Sequence, residues 1–503
     1  MSQRSLKVQF SEQRLPQIIY AAQSVKSGEV TCTEKQSIEM YQLMQEAGTA
    51  LFQWISERYD VSAKIIIVVG TGNNGGDGYV AATLLAQQNY HIAVASISPE
   101  RKLAGDAQTA RQAWVDSGGH IYDATKQTFD DNDLIVDALL GTGLQGEVKQ
   151  GFAQIIHAIN GSNSPVLSAD IPSGIHADTG CTLGIAIAAS TTITFVAIKP
   201  GLVTGNGKMH TGKLILAPLS IEACYRELST PVAQWVGFHC FEPLPNRKLN
   251  SHKGDNGKLL CIGGNKGMAG AIALSAGAAL RTGAGLVKVY CHQNSVSTIV
   301  QGRPEIMATD QNLHQLLHWA DCIVLGPGLG QDSWSRETFN QVLSYMVHED
   351  KPIIIDADGL NLLSQHQHKI KLNNVIITPH SAEAARLLEN TVAEVEAQRY
   401  ASAVRLFERY HANCVLKGAG TIVRNTSGMF VCADGNPGMS TAGMGDVLAG
   451  VMGALLAQGL SASDVSLYAT CLHSASADMA AETHGQRGMI AGDLYEYLRK
   501  CVN

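Results

Sequence analysis

A glycine-rich segment, "GTGNNGGDG" at Gly70–Gly78, contains the first residues whose types and spacing could do chemistry. It includes the pattern G-x-G-x-x-G, follows the apolar run "KIIIVVG", and leads into a helical pattern. A glycine turn between a strand and a helix leaves backbone amides free, and the helix dipole favours negative charge there. The segment therefore predicts a binding site for nucleotide phosphates.

An NAD-dependent dehydrogenase would need a second feature, an acidic residue about 20 residues further on that binds the ribose hydroxyls. The next strand, "HIAVASISPE", offers serines at that place, and Glu100 follows only after Pro99. The segment departs from the hydride-transfer pattern. We therefore do not expect an ordinary dehydrogenase.

Oxygen-bearing side chains stand at three turns that follow apolar runs in the first half of the chain. Asn74 lies in the glycine segment, Asp137 in "VDALLGTG" and Ser173 in "DIPSG", with Asp170 in the same turn as Ser173. Hard oxygen ligands suit a hard cation. Each Asp or Asn taken singly is also an ordinary helix cap, so the prediction of a cation site rests on the combination.

A second glycine turn, "NPGMSTAGMGDVLAG", lies near the end of the chain. Gly443 and Gly445 leave amides free at a helix N-terminus, which predicts a site for a phosphoryl group in transfer. Asp446, in the first helical turn, could accept the proton of an attacking hydroxyl. Favourable charge at a helix start also explains an aspartate there, so the glycines carry the catalytic interpretation. The helix is predicted to bury a stripe formed by Val447, Leu448, Val451, Met452, Leu455 and Leu456.

Short β-branched runs alternate with helical stretches along the chain, and these elements must position the chemistry. Continuous apolar strands separated by helices indicate an α/β fold whose parallel sheets are covered on both faces. Ligands of such sheets gather at the carboxyl ends of the strands. The length of 503 residues predicts two domains, and the pattern breaks around 220–250, where three prolines occur in a segment without a clear period. We therefore predict domains at 1–228 and 238–503.

A long amphipathic helix is predicted at 33–58. Thr33 and Gln36 match a capping box, and apolar residues from Met40 to Trp54 follow at helical spacing. We expect this helix to pack in the core. We also expect a homo-oligomer, for which the helix is a candidate subunit contact.

Composition narrows the class of protein. The net charge of −7 argues against nucleic-acid and anionic-membrane partners. The start lacks a secretory h-region, and the apolar runs fall short of the ~18 residues of a spanning helix. The eleven cysteines are scattered without metal-like spacing, which favours a reduced cytoplasmic setting.

The motifs "GTGNNGGDG", "VDALLGTGL" and "SADIPSG", in that order, resemble the NAD(P)H-hydrate epimerase family over most of residues 15–225. The resemblance implies a Rossmann-like doubly wound domain that binds hydrated NADH or NADPH. It implies that Asn74, Asp137 and Ser173 bind potassium, and that Asp170 contacts the hydrated nicotinamide and assists epimerisation. The implied substrate-binding residues are Asn73, Asn74, Gly75, Gly76, Asp77, Gly141, Thr142, Gly143, Leu144, Gln145, Gly146, Glu147 and Asp170.

The terminal G-x-G-D turn looks like that of the ribokinase-type fold, in which the aspartate is the general base. More narrowly, "SHKGDNGKLLCIGGNKGMAGA", "GPGLG", "ITPHSAEAARLL" and "LKGAGT" resemble the NAD(P)H-hydrate dehydratase family over roughly 240–500. The resemblance implies a ribokinase-like α/β domain that uses ADP, rather than ATP, as co-substrate with Mg²⁺. The implied nucleotide-binding residues are Lys417, Gly418, Ala419, Gly420, Thr421 and Gly445, and those of the hydrate pocket are Gly270, Ala271, Gly328, His380 and Asp446.

Two of these assignments have ordinary structural alternatives. His380, after "ITP", could be a satisfied residue at a strand end. Asp356 and Asn361, in "IIIDADGLNLL", could support a magnesium–phosphate network, but the same residues are common in turns.

The sequence therefore favours a bifunctional repair enzyme, in which one half equilibrates R and S hydrates and the other dehydrates the S form. One alternative is a vitamin or sugar kinase with an accessory nucleotide-binding domain, and another is a non-catalytic scaffold. The epimerisation itself could proceed by loss and re-addition of the hydroxyl or by ring opening. The residues leave both routes open.

Overall fold

The computed structural model describes residues 8–11, 13–366 and 374–503. Contacts divide the chain into two compact units. The first unit comprises residues 17–233, and the second comprises residues 234–503 together with the described residues before Gln17. Among the described residues, no helix combines the length and the apolar character that crossing a membrane requires.

Strands and helices alternate over much of the first unit. Its elements are β1 (Gln17–Ile19), α1 (Ala22–Gln36), α2 (Met40–Ser56), β2 (Lys64–Val69), α3 (Asn73–Gln87), β3 (His91–Ser96), α4 (Gly105–Asp116), β4 (Ile121–Asp123), β5 (Leu134–Ala138), α5 (Gln150–Gly161), β6 (Val166–Ala169), β7 (Thr191–Phe195), α6 (Gly205–Thr211), β8 (Lys213–Ala217) and α7 (Glu222–Leu228).

The sheet of the first unit has the strand order β4-β3-β2-β5-β6-β7-β8, and every neighbouring pair is parallel. The chain runs outward from β2 in one direction and then returns to β5 to build the other half. This is the doubly wound, Rossmann-like order, and its switch point lies between β2 and β5. The prediction of a parallel α/β sheet is confirmed.

The strands of this sheet form because their side chains are apolar on both faces. Ile65, Ile67, Val68 and Val69 of β2 are all at most 1% exposed. Two-sided burial is typical of a central parallel strand. The sheet therefore holds its carboxyl ends rigidly, which is where the oxygen-bearing residues were predicted.

The predicted helix at 33–58 is wrong at its start. The structure has two helices there, α1 and α2, and Thr33 lies inside the last turn of α1. The Thr33 hydroxyl donates to the carbonyl oxygens of Glu29 and Val30, so it caps nothing. Ser37, with φ of 55°, ends α1, and α2 begins after Glu39.

In the second unit, strands and helices alternate between Lys258 and Ile377. Its elements, beginning at the boundary, are β9 (Ala233–Val236), β10 (Lys258–Ile262), α8 (Ala269–Arg281), β11 (Leu286–Tyr290), α9 (Gln293–Gly302), β12 (Met307–Thr309), α10 (Leu313–Trp319), β13 (Cys322–Leu325), α11 (Ser333–Met346), β14 (Ile353–Ile355), α12 (Asp358–Gln365), β15 (Val375–Ile377), α13 (Ser381–Leu388), α14 (Val392–Ala397), α15 (Arg399–Tyr410), β16 (Asn413–Leu416), β17 (Ile422–Asn425), β18 (Gly428–Cys432), α16 (Met444–Ala457), α17 (Ala462–His484) and α18 (Leu494–Cys501).

The sheet of the second unit contains the run β9-β18-β17-β16-β15-β14-β13-β10-β11-β12. The strands from β16 to β12 in that order pair in parallel, and β17 pairs antiparallel with both β16 and β18. This is a ribokinase-like α/β domain. The parallel part places the carboxyl ends of β14, β15 and β16 side by side.

Helix α16 lies in the centre of this unit. The six residues of the predicted apolar stripe are at most 4% exposed, so that prediction is confirmed. The helix also contacts α8 closely, because a Cβ at Gly450 would lie 2.0 Å from the carbonyl oxygen of Ser275. Only a glycine permits this approach of two backbones, and it fixes the position of the N-terminus of α16.

Candidate active sites

The glycine segment of the first unit surrounds the switch point of the sheet. Helix α3 begins at Asn73, so Asn73–Asp77 form its first turn. The turn before it is tight, because a Cβ at Gly75 would lie 2.4 Å from the carbonyl oxygen of Gly70. A Cβ at Gly76 would lie 2.6 Å from Met44, so both glycines are closely packed, and the turn predicted to bind an anion is the N-terminus of α3.

Asp137 and Ser173 lie in contact at the carboxyl ends of β5 and β6. The Asp137 carboxylate is fully buried and accepts hydrogen bonds from the Ser173 hydroxyl (2.6 Å), the Ser173 amide (2.9 Å) and the Ser168 hydroxyl (2.9 Å). Burial raises the pKa of Asp137, against the opposing effect of the Ser173 hydrogen bonds.

Asn74 lies at the same edge, and its side chain is 8% exposed. Among the described residues, neither its amide oxygen nor its amide nitrogen has a hydrogen-bond partner. A buried amide without a partner costs about 1–3 kcal/mol, so such a group indicates that something else satisfies it. A cation held by the amide oxygen would do so.

Asp170 pairs with Lys199, a residue that the sequence analysis did not select. Lys199 is 1% exposed, and its ammonium group donates to the Asp170 carboxylate, to the Thr194 hydroxyl (3.0 Å) and to the Phe195 carbonyl (2.8 Å). An ammonium group has three protons, so all of its donors are in use. The signal was present in "TFVAIKPG", where a lysine interrupts an apolar run, because lysine is almost never fully buried unless it is paired.

Two strained turns hold this pair in place. Asp170 has φ of 63° and Val196 has φ of 64°. In each turn the following amide donates to the preceding carbonyl at 2.7 Å, which is the geometry of a strained γ-turn. Left-handed backbone at residues other than glycine costs about 1–3 kcal/mol and clusters at functional sites.

A cavity of about 770 Å³ opens over these residues. Of the residues selected from the sequence, those that line it are Asn73, Asn74, Asp77, Gly141, Thr142, Gly143, Leu144, Gln145, Glu147 and Asp170. Glu29 and Lys199 also line it, and α1 supplies Glu29. The cavity therefore combines the turn that was predicted to bind phosphates with a set of ionisable groups.

The charges in this cavity are strongly coupled. Burial raises the pKa of Glu29 to about 7, with Lys199 lowering it and Asp170 raising it. Burial also raises the pKa of Asp77 well above its ordinary value, and the nearby carboxylates of Asp170 and Glu29 add to that effect. At neutral pH, Glu29 is thus close to its titration midpoint.

The second site surrounds the glycine turn before α16. Gly443 has φ of 90° and precedes the first helical residue, so the amides of Gly445 and Asp446 lie at the helix N-terminus. A Cβ at Gly445 would lie 3.2 Å from the Lys417 ammonium and 3.8 Å from the Asp356 carboxylate. The turn and these two charged groups therefore form one site.

Lys417 follows β16, and Asp356 follows β14. The Lys417 ammonium lies 2.8 Å from the Asp356 carboxylate and 3.8 Å from that of Glu383. Burial alone would lower the pKa of Lys417, but the Asp356 and Glu383 carboxylates outweigh it and the net shift is upward. The Thr378 hydroxyl donates to Asp356 at 2.7 Å and fixes the carboxylate.

Asp446 is half-buried beside this cluster. Its pKa is raised to about 7, chiefly by burial and next by the Asp356 carboxylate, while Lys417 opposes the increase. A carboxyl group that titrates near neutral pH is suited to accept a proton from a hydroxyl group.

The segment from Lys417 to Thr421 is held by a residue that the sequence analysis missed. Arg399, 1% exposed, donates to the carbonyl oxygens of Leu416 and Lys417, both at 3.3 Å. Gly418, with φ of 145°, is needed because a Cβ there would lie 2.8 Å from the Arg399 guanidinium. A buried arginine can fix backbone carbonyls because it offers five hydrogen-bond donors. Nothing in the sequence of α15 marks Arg399 as buried.

His380 is the N-cap of α13 and forms a capping box with Glu383. Its Nδ1 accepts from the Ala382 amide at 3.1 Å, and its own amide donates to Glu383 at 2.8 Å. Burial, Lys417 and Arg386 lower the pKa of His380, so its ring is neutral at pH 7. Burial raises the pKa of Glu383 to about 7. The structure thus brings His380 to the cluster through Glu383.

The remaining predicted residues lie at two places. Gly328, with φ of 58°, packs against Met268 and Ala271, and a Cβ at Gly270 would meet no atom within 4 Å, so Gly270 faces open space. Asn361 donates to Asp358 at 3.2 Å and accepts from Arg386 at 2.8 Å. Asp356 therefore contacts Lys417 directly, whereas Asn361 is bonded to other residues.

Two family models match the chain. Residues 259–500 match the family described as NAD(P)H-hydrate dehydratase, and residues 40–201 match the family described as YjeF-related protein N-terminus. Together they include the second site and most of the first. Glu29 lies before the second match begins.

Curated relatives match nearly the whole chain. The bifunctional NAD(P)H-hydrate repair enzyme of Escherichia coli (strain K12) is 40% identical over 493 residues, which cover 97% of this chain and 95% of that one. The enzyme of the same description from Leishmania braziliensis is 35% identical over 544 residues, covering 100% and 97%.

Two solved structures match about half of this chain. A ribokinase-like superfamily protein from Enterococcus faecalis V583 is 30% identical with a TM-score of 0.48, covering 51% of this chain and 90% of that one. The ADP/ATP-dependent NAD(P)H-hydrate dehydratase of Bacillus subtilis is 26% identical with a TM-score of 0.46, covering 52% and 93%. On the length and identity of the curated matches, this chain belongs to the family of bifunctional NAD(P)H-hydrate repair enzymes.

Proposed function

We propose that residues 1–228 epimerise the R and S hydrates of NADH and NADPH, and that residues 238–503 dehydrate the S hydrate with ADP. The observation that carries this assignment is the group of Asp446, Lys417 and Asp356 at the glycine turn before α16. The family matches at 40–201 and 259–500 fall within the two ranges and support them.

The geometry of the second site suits removal of a hydroxyl group by way of a phosphate ester. Hydroxide is a poor leaving group at neutral pH. In the proposed reaction, the oxygen of the substrate hydroxyl attacks the terminal phosphorus of ADP while Asp446 accepts the hydroxyl proton, and AMP departs. The ring nitrogen's electron pair then expels phosphate, and loss of a proton from the neighbouring ring carbon restores the double bond. The amides at Gly445 and Asp446 would stabilise charge on the transferring group.

Lys417 and the residues that follow it would hold the nucleotide. A half-buried ammonium group beside free helix amides suits the phosphates of ADP. The Asp356 carboxylate is a hard oxygen donor beside the same turn, which fits Mg²⁺. Bound Mg²⁺ would neutralise charge on the phosphates. Because Asn361 is bonded to Asp358 and Arg386, we assign the magnesium contact to Asp356 alone.

The first site suits epimerisation next to the ring nitrogen. Asp170 would move the proton of the substrate hydroxyl, while the turn at Asn73–Asp77 and the loop at Gly141–Glu147 would hold the phosphates and ribose. The unpartnered Asn74 amide, with the Asp137 and Ser173 oxygens at the same sheet edge, fits K⁺. Bound K⁺ would supply a fixed positive charge there.

One assay tests both assignments. Purified protein is mixed with a mixture of R and S hydrates of NADH and with ADP or ATP, and the absorbance of the reduced nicotinamide is followed. We expect full recovery with the wild type and no recovery with Asp446→Asn. We expect Asp170→Asn to recover the S fraction rapidly and the R fraction at the spontaneous rate.

Matched controls are Asp350→Asn and Asp116→Asn, which change exposed carboxylates in the second and first unit. Both should behave as the wild type does. Phosphorylation of a sugar or vitamin alcohol without recovery of reduced nicotinamide would replace the proposal with a small-molecule kinase. Equal rates for both epimers in Asp170→Asn would reject the epimerase assignment.

A further inference from the structure

Epimerisation needs one proton donor and one proton acceptor, and Asp170 and Lys199 do not supply both. All three protons of the Lys199 ammonium are donated to protein oxygens, one of them to Asp170. Lys199 therefore acts as a fixed positive charge that holds Asp170 in place. A proton donor for the substrate must come from another group on the cavity wall.

Inversion at the carbon beside the ring nitrogen needs one donor and one acceptor on either route. If the hydroxyl leaves, the carbon–oxygen bond breaks as the oxygen takes a proton and departs as water, and the returning water gives a proton up. If the ring opens, the hydroxyl loses its proton while the carbon–nitrogen bond breaks and the nitrogen gains one. On both routes one protein group gives a proton to the substrate and another accepts a proton from it, so the number of protons on the two groups is unchanged. No oxidant or reductant is needed.

Glu29 has the position that this second role requires. One face of α1, formed by Ala22, Val25, Lys26 and Glu29, lines the same cavity as Asp170 and Lys199. Within the described ranges of the chain, the Glu29 carboxylate makes no hydrogen bond and no ion pair. It is half-buried and faces the cavity that Asp170 also lines. Asp170 accepts from Thr194, Phe195 and Lys199 through one oxygen, Oδ1.

Building on the epimerase assignment above, we propose that Glu29 is a second catalytic residue of epimerisation. It exchanges a proton with the hydrated nicotinamide, while Asp170, fixed by Lys199, exchanges the other. The two carboxylates come from different elements, α1 and the turn after β6, so they approach the substrate from separate parts of the wall.

Asp77 is the rival group, since it lines the cavity as well. Asp77 lies in the first part of α3 and is only 9% exposed, and burial raises its pKa well above the ordinary value of a carboxyl group, whereas Glu29 is half-buried and faces the cavity. The charged groups that influence Glu29 are Lys199 and Asp170 on the strand ends and Lys26 on its own helix, and their combined effect with burial leaves its pKa at about 7. Glu29 can therefore both give and accept a proton near neutral pH.

The test compares Glu29→Gln with Glu34→Gln, an exposed carboxylate on the same helix. Epimerisation is measured as recovery of the R hydrate with excess ADP, across a pH series, with circular dichroism as the check of folding. We expect Glu29→Gln to slow the R fraction by about 100-fold or more and to remove the pH dependence near 7, with the S fraction unchanged. Glu34→Gln should match the wild type, and Glu29→Asp should restore part of the rate.

The outcomes separate this proposal from the proposed function. If the wild type and Asp170→Asn behave as described above but Glu29→Gln epimerises at the wild-type rate, the role of Glu29 is wrong and the epimerase assignment stands. Loss of the pH dependence in Asp77→Asn instead would give the role to Asp77. If the wild type fails to interconvert the epimers, both proposals are wrong. If Glu29→Gln does not fold, a wild-type pH profile in Glu29→Asp overturns the proposal and a displaced one supports it.

Discussion

Asp446 should impose a pH dependence on dehydration that a change in a neighbouring charge can move. Its pKa of about 7 results first from burial and then from the Asp356 carboxylate, with Lys417 opposing and Asp358 and Glu383 adding to the increase. Only the ionised form can accept the substrate proton. Between about pH 8 and about pH 6 the ionised fraction falls by about tenfold, so kcat/KM for the S hydrate should fall by the same factor.

The perturbation is Asp358→Asn. Asparagine keeps the shape of Asp358, whose carboxylate accepts from the Gly330 amide at 2.8 Å, and removes one negative charge. Because that charge raises the pKa of Asp446, its removal should displace the pH profile to lower pH. The assay is recovery of reduced nicotinamide from pure S hydrate, which makes the epimerase half irrelevant. Asp350→Asn, an exposed change in the same unit, is the control and should leave the profile in place.

The raised pKa of Asp446 should also make the stability of the folded protein fall as pH rises. Between about pH 4 and about pH 7, Asp446 is protonated in the folded protein and ionised in the unfolded chain, so its contribution to stability is present at low pH and lost as pH rises through 7. Asp446→Asn removes this effect. The variant should therefore be more stable than the wild type at pH 8, by no more than about 4 kcal/mol and less to the extent that solvent screens the site, and equally stable near pH 3.

Two results would refute this reasoning. An unmoved pH profile in Asp358→Asn would mean that the group titrating in the assay is not Asp446. Glu383 also has a pKa of about 7, so a profile that disappears in Glu383→Gln and persists in Asp358→Asn would transfer the role to Glu383. Equal stability of Asp446→Asn and wild type at pH 8 would mean that burial does not raise the pKa in the folded protein.

Three further predictions concern the two units separately. Lys199→Met leaves the Asp170 carboxylate without its ion-pair partner and should lower the free energy of unfolding, measured by urea denaturation, by about 3–5 kcal/mol. The double variant Lys199→Met with Asp170→Asn should recover much of that loss. Gly450→Ala places a Cβ 2.0 Å from the Ser275 carbonyl oxygen and should cost at least about 1–3 kcal/mol with a matching loss of dehydration; a wild-type melting temperature would contradict the packing described. Asn74→Leu should abolish any stimulation of epimerisation by K⁺ relative to Li⁺ without affecting dehydration, and persistent stimulation would place the cation elsewhere.

The strand pattern was readable from the sequence because parallel strands are apolar on both faces. The prediction of two α/β domains with parallel sheets is confirmed, as is the buried stripe of α16, since both depend on periodic burial alone. The same logic placed Asn74, Asp137 and Ser173 at neighbouring strand ends. The contact between Asp137 and Ser173 follows from the strand order, which the pattern of apolar runs does not specify.

Helix α1 and its Glu29 were missed for a physical reason. Most of the surface of α1 is polar and no side chain caps its start, so neither periodicity nor a capping motif marks it. The Thr33–Gln36 pair resembled a cap but lies in the last helical turn. Arg399 was missed because it bonds to Leu416 and Lys417, which are distant in the sequence. Lys199 could have been found, because it interrupts an apolar run.

The contact between Gly450 and Ser275 determines which wall of the dehydratase site can move. Two helices whose backbones are in contact cannot slide past each other without opening a void. Asp446, at the start of α16, is therefore held at a fixed position. Any rearrangement of the site on nucleotide binding should therefore take place outside α16. Hydrogen–deuterium exchange should accordingly find the amides of α16 among the slowest of the unit, with and without nucleotide.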